Sequence, residues 1–186
     1  MLQVTKAEDV IDHGLSLGAD FAELFVERSL TNAISTLSNQ VQSVESGIDF
    51  GIGVRLVFGS KVLYGYTNKT EAEELKRIMG ELAAMDLRDP RVLMQAFDDS
   101  EPVEHHPAHR ILSTDADVDS KVAYLLAADA AARVSSNLIS QTRGACRQKE
   151  QRIEIFNSEG LHTTDARNYV RATLTAIASD GQDQAT

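Results

Sequence analysis

The chain has 186 residues, of which 42% are hydrophobic and 25% are charged, and this composition predicts a soluble globular protein with one domain, or one domain and an appendage. Its formal net charge is −10 and its lysines and arginines form no basic cluster in sequence, which argues against nucleic acid or an anionic membrane as a partner. Cys146 is the single cysteine, so an internal disulfide is excluded and a reducing compartment is favoured.

The N-terminal segment is predicted to be a short helix. Residues 1–18 mix charged and apolar side chains without an uninterrupted apolar core, so we expect neither a signal peptide nor a membrane span, and a cytoplasmic location is the default. Thr5-Lys6-Ala7-Glu8 has the form of a capping box, and Gly18 is a plausible helix stop. His13 lies near the end of this helix, where we expect a surface side chain without a ligand role.

From residue 19 to residue 68 the hydrophobic period changes to two, which predicts strands. A strand over Phe21 to Glu27 is followed by two more polar ones, Thr31 to Leu37 and Val41 to Ser46, joined at Ser38-Asn39-Gln40. A Gly-rich hairpin then covers Val44 to Asn68, with Gly59-Ser60 as its type II′ turn. Its alternating apolar residues are Ile52, Val54, Leu56 and Phe58, followed by Val62, Tyr64 and Tyr66.

The second half of the chain is predicted to contain two more helices and a second run of strands. Thr70-Glu71-Ala72-Glu73 has the form of another capping box, before an amphipathic helix whose apolar stripe is Ala72, Leu75, Ile78, Met79 and Leu82. Residues 86–117 hold all three prolines and many acids and are predicted to be a long irregular loop, with a helical turn around Val92 to Phe97. A third helix is predicted over Asp117 to Val134.

The C-terminal run of strands is predicted over Leu138 to Arg147, Gln151 to Phe156 and Thr163 to Ala178, with a turn at Asn157-Ser158-Glu159-Gly160. We expect the last strand to bury Val170, Ala172, Leu174, Ala176 and Ala178, and the polar residues 179–186 to end without a packing element. This order of elements predicts an α+β fold with largely antiparallel sheets packed against about three helices.

The residues offer few candidates for chemistry. Gly51-Ile52-Gly53 lacks the third glycine and the following helix of a dinucleotide site, so a bulge or a close backbone approach is the better interpretation. His105, His106 and His109 could bind a transition metal, but Pro107 interrupts helical spacing and a solvated acidic loop is the favoured reading. Cys146 is expected to be an ordinary strand thiol, although Arg143 and Arg147 could lower its pKa, and no Gly-x-Ser-x-Gly elbow is present.

Five segments resemble the TldD/PmbA family. They are Gly-Ala-Asp-Phe-Ala-Glu-Leu-Phe-Val-Glu at 18–27, Val-Glu-Ser-Gly-Ile-Asp-Phe-Gly-Ile-Gly-Val-Arg at 44–55, Gly-Tyr-Thr-Asn at 65–68, Phe-Asn-Ser-Glu-Gly at 156–160, and the strand over 167–175. The Ser-Gly-Ile-Asp form is similar to the TldD type rather than the PmbA (TldE) type. The resemblance spans nearly the whole chain and identifies residues 1–186 as an N-terminal domain, apparently truncated.

The resemblance implies part of a zinc metallopeptidase of peptide maturation or proteolysis, a dimer that pairs TldD-type with PmbA-type subunits. The family's zinc is held by a His-Glu-x-x-x-His helix and a distant Cys in the C-terminal half, and no such motif occurs in these 186 residues. We therefore expect no catalytic, cofactor-binding or metal residue in this chain, and no activity from it alone.

Three hypotheses stay open at this stage. The chain is the N-terminal portion of a metallopeptidase that contributes to the dimer and the peptide channel, or a free-standing module that binds a partner subunit or peptide by strand addition. The weakest is an independent metal site at His105, His106 and His109. A fragment of this kind should also expose an apolar surface where its missing half would pack.

Overall fold

The computed structural model describes residues 2–86, 96–97 and 117–185, and within these ranges it contains three helices and one six-stranded antiparallel sheet. The predicted α+β class is therefore confirmed. The elements in chain order are α1 (Val4–Ser16), β1 (Phe21–Leu37), β2 (Gln40–Phe58), β3 (Lys61–Thr67), α2 (Ala72–Ala83), α3 (Val118–Ser135), β4 (Ile139–Asn157), β5 (His162–Ser179) and β6 (Gln184–Ala185). The strand order is β3-β2-β1-β4-β5-β6, so the two predicted strand runs share one sheet.

Several strands are longer than their hydrophobic pattern predicts. The strands expected over 21–27 and 31–37 form the single strand β1, and those expected over 41–46 and 44–58 form the single strand β2. The strands expected over 138–147 and 151–156 likewise form β4. The polar C-terminal segment contributes β6, which pairs with Ala178 and Ser179 of β5 and was not predicted.

The turns follow the predicted chemistry. Ser38 and Asn39 join β1 to β2 with φ values of 46° and 64°, in the left-handed region. At the next turn Gly59 has φ 60° whereas Ser60 is not among the residues with positive φ, as expected for a type II′ hairpin, and Phe58 pairs with Lys61 across it.

Both predicted capping boxes are wrong. Helix α1 begins at Val4 with Gln3 as its N-cap, and helix α2 begins at Ala72 with Glu71 as its N-cap; neither N-cap side chain makes a capping hydrogen bond. Tertiary contacts fix the start of α1 instead, because Leu2 is 6% exposed in the core and its backbone N–H donates to Glu154 Oε2 at 3.1 Å. Helix α3 does have a side-chain cap, in which Asp117 accepts from the Ser120 N–H at 2.8 Å.

The chain divides into two compact units. Unit 1 comprises Met1–Arg28, Asp49–His106 and Arg152–Ala166. Its core contains α1, α2 and one face of the strands that they cover, including Ile52, Val54, Leu56 and Phe58, all 0% exposed as predicted. Met79, from the predicted apolar stripe of α2, is also fully buried there.

Unit 2 comprises Ser29–Ile48, Pro107–Gln151 and Arg167–Thr186. Its core is small: Ile34, Leu125 and Cys146 are buried, with Val118 and Val122 packed against them. The predicted buried face of the last strand is wrong, because Val170 is 44% exposed, Ala172 is exposed, and Leu174, Ala176 and Ala178 are only half-buried. Alternation shows that a strand has two faces, but a covering element decides which of them is buried.

In the described part of the chain, none of the helices is long and apolar enough to cross a membrane. The predicted loop over residues 86–117, its expected helical turn near Val92, and His105, His106 and His109 lie almost entirely outside the described residues.

Candidate functional site

The glycines of β2 are explained by two tyrosines of β3. Gly53 pairs with Tyr66 and Arg55 with Tyr64 in the antiparallel register. A Cβ at Gly51 would overlap the Tyr66 ring, and a Cβ at Gly53 would overlap the Tyr64 hydroxyl. The Tyr66 hydroxyl also donates to the Phe50 carbonyl at 3.2 Å. The glycines thus allow close side-chain approach within a strand, as predicted, and they form no phosphate-binding turn.

The same tyrosines form part of an exposed surface in unit 1. We define this aromatic face as Val62, Tyr64 and Tyr66, which are 59%, 60% and 59% exposed, with Arg55 and Phe21 beside them. The Arg55 guanidinium lies 5.2 Å from the centre of the Phe21 ring and pairs with Glu23 at 2.9 Å. Exposed aromatic side chains held on rigid strands are suited to contact another protein surface.

Strand β2 also presents a free edge in unit 2. Its ladder with β3 runs from Ile52 to Phe58, and β1 is its other neighbour in the sheet, so residues 40–48 have no strand partner on the β3 side among the described residues. Both faces of this segment are open, and Val41, Val44 and Ile48 are 42%, 46% and 64% exposed. Unpaired backbone groups on an exposed strand can accept an additional strand.

Cys146 is not placed for nucleophilic chemistry. It is 5% exposed and packs with Ile34 and Leu125 beneath α3. Arg147 is its neighbour on β4 and is exposed, so the two side chains lie on opposite faces of the strand. Cys146 is therefore a buried residue of β4, and its expected lack of a catalytic role stays a prediction.

A buried acid–histidine pair in unit 1 was missed by the sequence analysis. Glu154 is 4% exposed, and its Oε1 lies 3.1 Å from Nε2 of His162. The imidazole stacks on Phe156, with ring centres 4.4 Å apart and planes 9° apart. The available signal was an acid between two isoleucines, followed eight residues later by a histidine across a tight turn. The pair joins β4 to β5 and holds the Leu2 N–H, which indicates a structural role.

Asp129 is a second buried acid that was missed, in the alanine-rich helix α3 of unit 2. It is 0% exposed and accepts hydrogen bonds from the Arg133 Nε at 2.8 Å, the Asn39 N–H at 2.9 Å and the Thr142 hydroxyl. Burial by itself raises the pKa of Asp129, but the hydrogen bonds from Thr142, Arg133 and Asn39 outweigh that effect and leave the pKa lowered. Its hydrogen-bond donors belong to a turn, a helix and a strand of unit 2, which indicates that Asp129 stabilises the fold.

The described residues bring together no group of three His, Cys, Asp or Glu side chains with the geometry of a metal site. The zinc that the resemblance implies therefore has no fitting set of ligands in this part of the chain, and we derive no step through it. His13 is half-buried in the last turn of α1, near the helix end as expected. The metal hypothesis for His105, His106 and His109 stays a prediction.

Comparison with protein families gives two consecutive matches. Residues 22–85 match PmbA/TldA metallopeptidase domain 1, and residues 111–186 match the PmbA/TldA metallopeptidase central domain. Comparison with curated proteins gives no match.

Three solved structures share the fold. A candidate modulator of DNA gyrase from Thermotoga maritima MSB8 aligns with a TM-score of 0.76 and 10% identity over 97% of this chain and 40% of its own. Another, from Bacteroides thetaiotaomicron VPI-5482, gives 0.70 and 13% over 97% of this chain and 42% of its own. TldE from Thermococcus kodakarensis gives 0.69 and 17% over 96% of this chain and 40% of its own. The chain thus spans about two fifths of the length of these structures.

Proposed function

The chain belongs to the TldD/PmbA family, and we propose that it acts as the N-terminal, non-catalytic portion of a zinc metallopeptidase of peptide maturation or proteolysis. The observation that carries this proposal is the succession of two family domains, domain 1 and the central domain, in a chain without a His-Glu-x-x-x-His sequence. The metal-binding helix of the family would then be supplied by sequence outside these 186 residues. The proposed role of the chain is to build the dimer and the walls of the peptide channel.

The aromatic face supports the dimer part of the proposal. Three neighbouring side chains that are each about 60% exposed, on a rigid hairpin, resemble the aromatic cores of protein interfaces. The partner in this proposal is a second TldD/PmbA-type subunit in the cytoplasm. The Ser-Gly-Ile-Asp sequence at 46–49 supports a TldD-type chain paired with a PmbA-type subunit, and this subtype is also a proposal.

The experiment combines light scattering with a peptidase assay. We expect the purified chain to be dimeric and to leave fluorescein-labelled casein intact when zinc is added. Tyr64→Ser/Tyr66→Ser should convert the dimer to a monomer, whereas Tyr124→Ser should not, because Tyr124 is 63% exposed on α3, outside the aromatic face. Zinc-dependent hydrolysis by the chain alone would refute the non-catalytic role, and a wild-type monomer at high concentration would refute the dimer.

The free edge of β2 favours a second candidate function, in which the chain binds a peptide by strand addition. An extended peptide would hydrogen-bond to the open side of residues 40–48, so the binding would depend on peptide N–H groups. A fluorescein-labelled Val-Thr-Val-Thr-Val-Thr peptide should raise its anisotropy with the chain, and the same peptide with alternate N-methyl groups should not. Equal binding of both peptides would eliminate this function.

A further inference from the structure

Unit 2 carries a groove lined by two arginines that have no partners among the residues that the structure describes. It is lined by β1, β4 and β5, is open to solvent and has a volume of about 460 Å³. Three successive residues of each strand line it, at positions 31–33, 147–149 and 169–171. Arg147 and Arg171 are exposed, and within the described ranges neither forms an ion pair or a side-chain hydrogen bond. We call this surface the arginine groove.

The chain has 28 acidic residues against 18 basic ones, so carboxylates are in excess. Several arginines are paired with one: Arg55 with Glu23 at 2.9 Å, Arg77 with Glu74 at 2.9 Å, and Arg133 with Asp129 at 2.8 Å. Among the described arginines, Arg28 and Arg143 form no such pair either, so what distinguishes Arg147 and Arg171 is that they line the same groove. Arg147 and Arg171 instead lie on neighbouring strands at one groove, and like charges on neighbouring strands repel each other. The groove thus concentrates positive charge, and a bound anion would be attracted to both arginines.

We propose that the arginine groove binds an extended polypeptide segment that presents two carboxylates, one to each arginine. Each guanidinium can hold a carboxylate through two parallel hydrogen bonds. Tyr169, which is 55% exposed and lies two residues before Arg171 on the same face of β5, adds aromatic surface for the intervening side chains. Lys149 also lines the groove but already has a partner in the chain, so the proposal rests on the two arginines. The binding needs neither zinc nor the dimer described above.

Two other anionic ligands fit this groove less well. A small phosphate ligand is usually held by backbone N–H groups at a glycine-rich turn or a helix N-terminus, whereas the lining residues here lie within strands of the sheet. A nucleic acid would have to approach a chain with a formal charge of −10, and two arginines neutralise few phosphates. A short acidic peptide requires only the local positive charge.

Fluorescence anisotropy with two matched probes tests the proposal. We expect fluorescein-labelled Thr-Glu-Thr-Glu-Thr-Glu to bind at low salt and the Thr-Gln-Thr-Gln-Thr-Gln analogue not to bind. Arg147→Gln/Arg171→Gln should weaken binding of the Glu peptide about tenfold or more, because charged hydrogen bonds are lost. The control Lys76→Gln/Arg77→Gln removes the same charge from α2, which contributes no lining residue to the groove, and should leave binding unchanged. Equal affinity of the two double variants for the Glu peptide would overturn the proposal. It would also be overturned if oligothymidylate displaced the labelled Glu peptide at a lower concentration than unlabelled Glu peptide does.

Thermal unfolding separates a binding role from a structural one. Without peptide, Arg147→Gln/Arg171→Gln should melt within about a degree of the wild type or above it, because both side chains are exposed and lose no ion pair or side-chain hydrogen bond within the described residues. With saturating Glu peptide, the wild type should gain melting temperature and the variant should not. A lower melting temperature of the variant without peptide would show that the arginines stabilise the fold, which would overturn the proposal.

Discussion

The backbone N–H of Asn39 donates a 2.9 Å hydrogen bond to the carboxylate of Asp129, which is 90 residues away in sequence and completely buried. Asn39 occupies the left-handed turn between β1 and β2, and Asp129 lies in α3. The Thr142 hydroxyl of β4 and the Arg133 Nε donate to the same carboxylate. A single side chain therefore ties a turn, a helix and a strand of unit 2 together.

Replacing this carboxylate should destabilise the protein. Asp129→Asn removes the charge that accepts three hydrogen bonds and turns an amide N–H₂ toward donors, so we expect a loss of about 2–4 kcal/mol in the free energy of unfolding. Urea denaturation at neutral pH measures it. Asp119→Asn, at an exposed position in the first turn of the same helix, is the matched control and should change stability far less. Equal losses in the two variants would contradict the role assigned to Asp129.

The same carboxylate predicts a pH dependence. The pKa of Asp129 is lowered from its ordinary value of 3.8, so below that pH the unfolded chain takes up a proton that the folded protein still excludes. The stability contributed by Asp129 is therefore fully present above about pH 4 and is lost as the pH falls through the lowered pKa of the folded state. The difference in urea midpoint between wild type and Asp129→Asn should shrink below pH 4. A difference that stays constant between pH 6 and pH 3 would disprove this.

Sequence predicts a strand best where its alternating apolar residues lie on the face that the helices cover. Ile52, Val54, Leu56 and Phe58 were predicted to share an apolar face, and they are buried. On β3 the same alternation identifies Val62, Tyr64 and Tyr66, yet these side chains are exposed, and the intervening Gly65 lies under Ile78 of α2. Pattern alone does not say which face a helix will cover, because that depends on contacts between residues distant in sequence.

The two buried acids of the fold were not predicted from sequence, for a related reason. Glu154 and Asp129 occupy positions where an acid is normally expected to face solvent, but both are buried because partners elsewhere in the chain satisfy them. The start of α1 was wrong because tertiary contacts at Leu2 replace a side-chain cap. The hairpin that resembles the family was recognisable from sequence, since Gly51 and Gly53 lie close to Tyr66 and Tyr64, and glycines within a strand pattern indicate such close contacts.

Two glycine substitutions should differ in their effect on stability. A Cβ at Gly144 would overlap the hydroxyl of Thr36, which is 3% exposed, and would touch Leu125, so Gly144→Ala should destabilise unit 2 by about 1–3 kcal/mol. At Gly53 the obstacle is the hydroxyl end of Tyr64, an exposed side chain that can rotate away, so Gly53→Ala should change stability by less than about 1 kcal/mol. Chemical denaturation of both variants compares them directly. The reverse order would show that β4 yields more readily than the Tyr64 side chain.

Substitutions of His162 should separate its hydrogen bond from its stacking. His162→Phe keeps an aromatic ring beside Phe156 but removes the partner of the buried Glu154 Oε1, so we expect a loss of about 1–3 kcal/mol. His162→Gln can still donate to Glu154 while losing the stacking. The free energies of unfolding of the two variants give the comparison. If His162→Phe is as stable as the wild type, the Glu154 carboxylate does not need this donor.

Cys146 should be unreactive in the folded protein. Its thiol is 5% exposed beneath α3, so we expect iodoacetamide to label it only when unit 2 opens, and labelling to be complete within minutes in denaturing urea. Because opening limits the reaction, Asp129→Asn should accelerate labelling under native conditions whereas Asp119→Asn should not. Mass spectrometry of timed samples measures the rate. Rapid labelling of the native wild type would contradict the packing of Cys146 against Ile34 and Leu125, and with it the small core that holds α3 to the sheet.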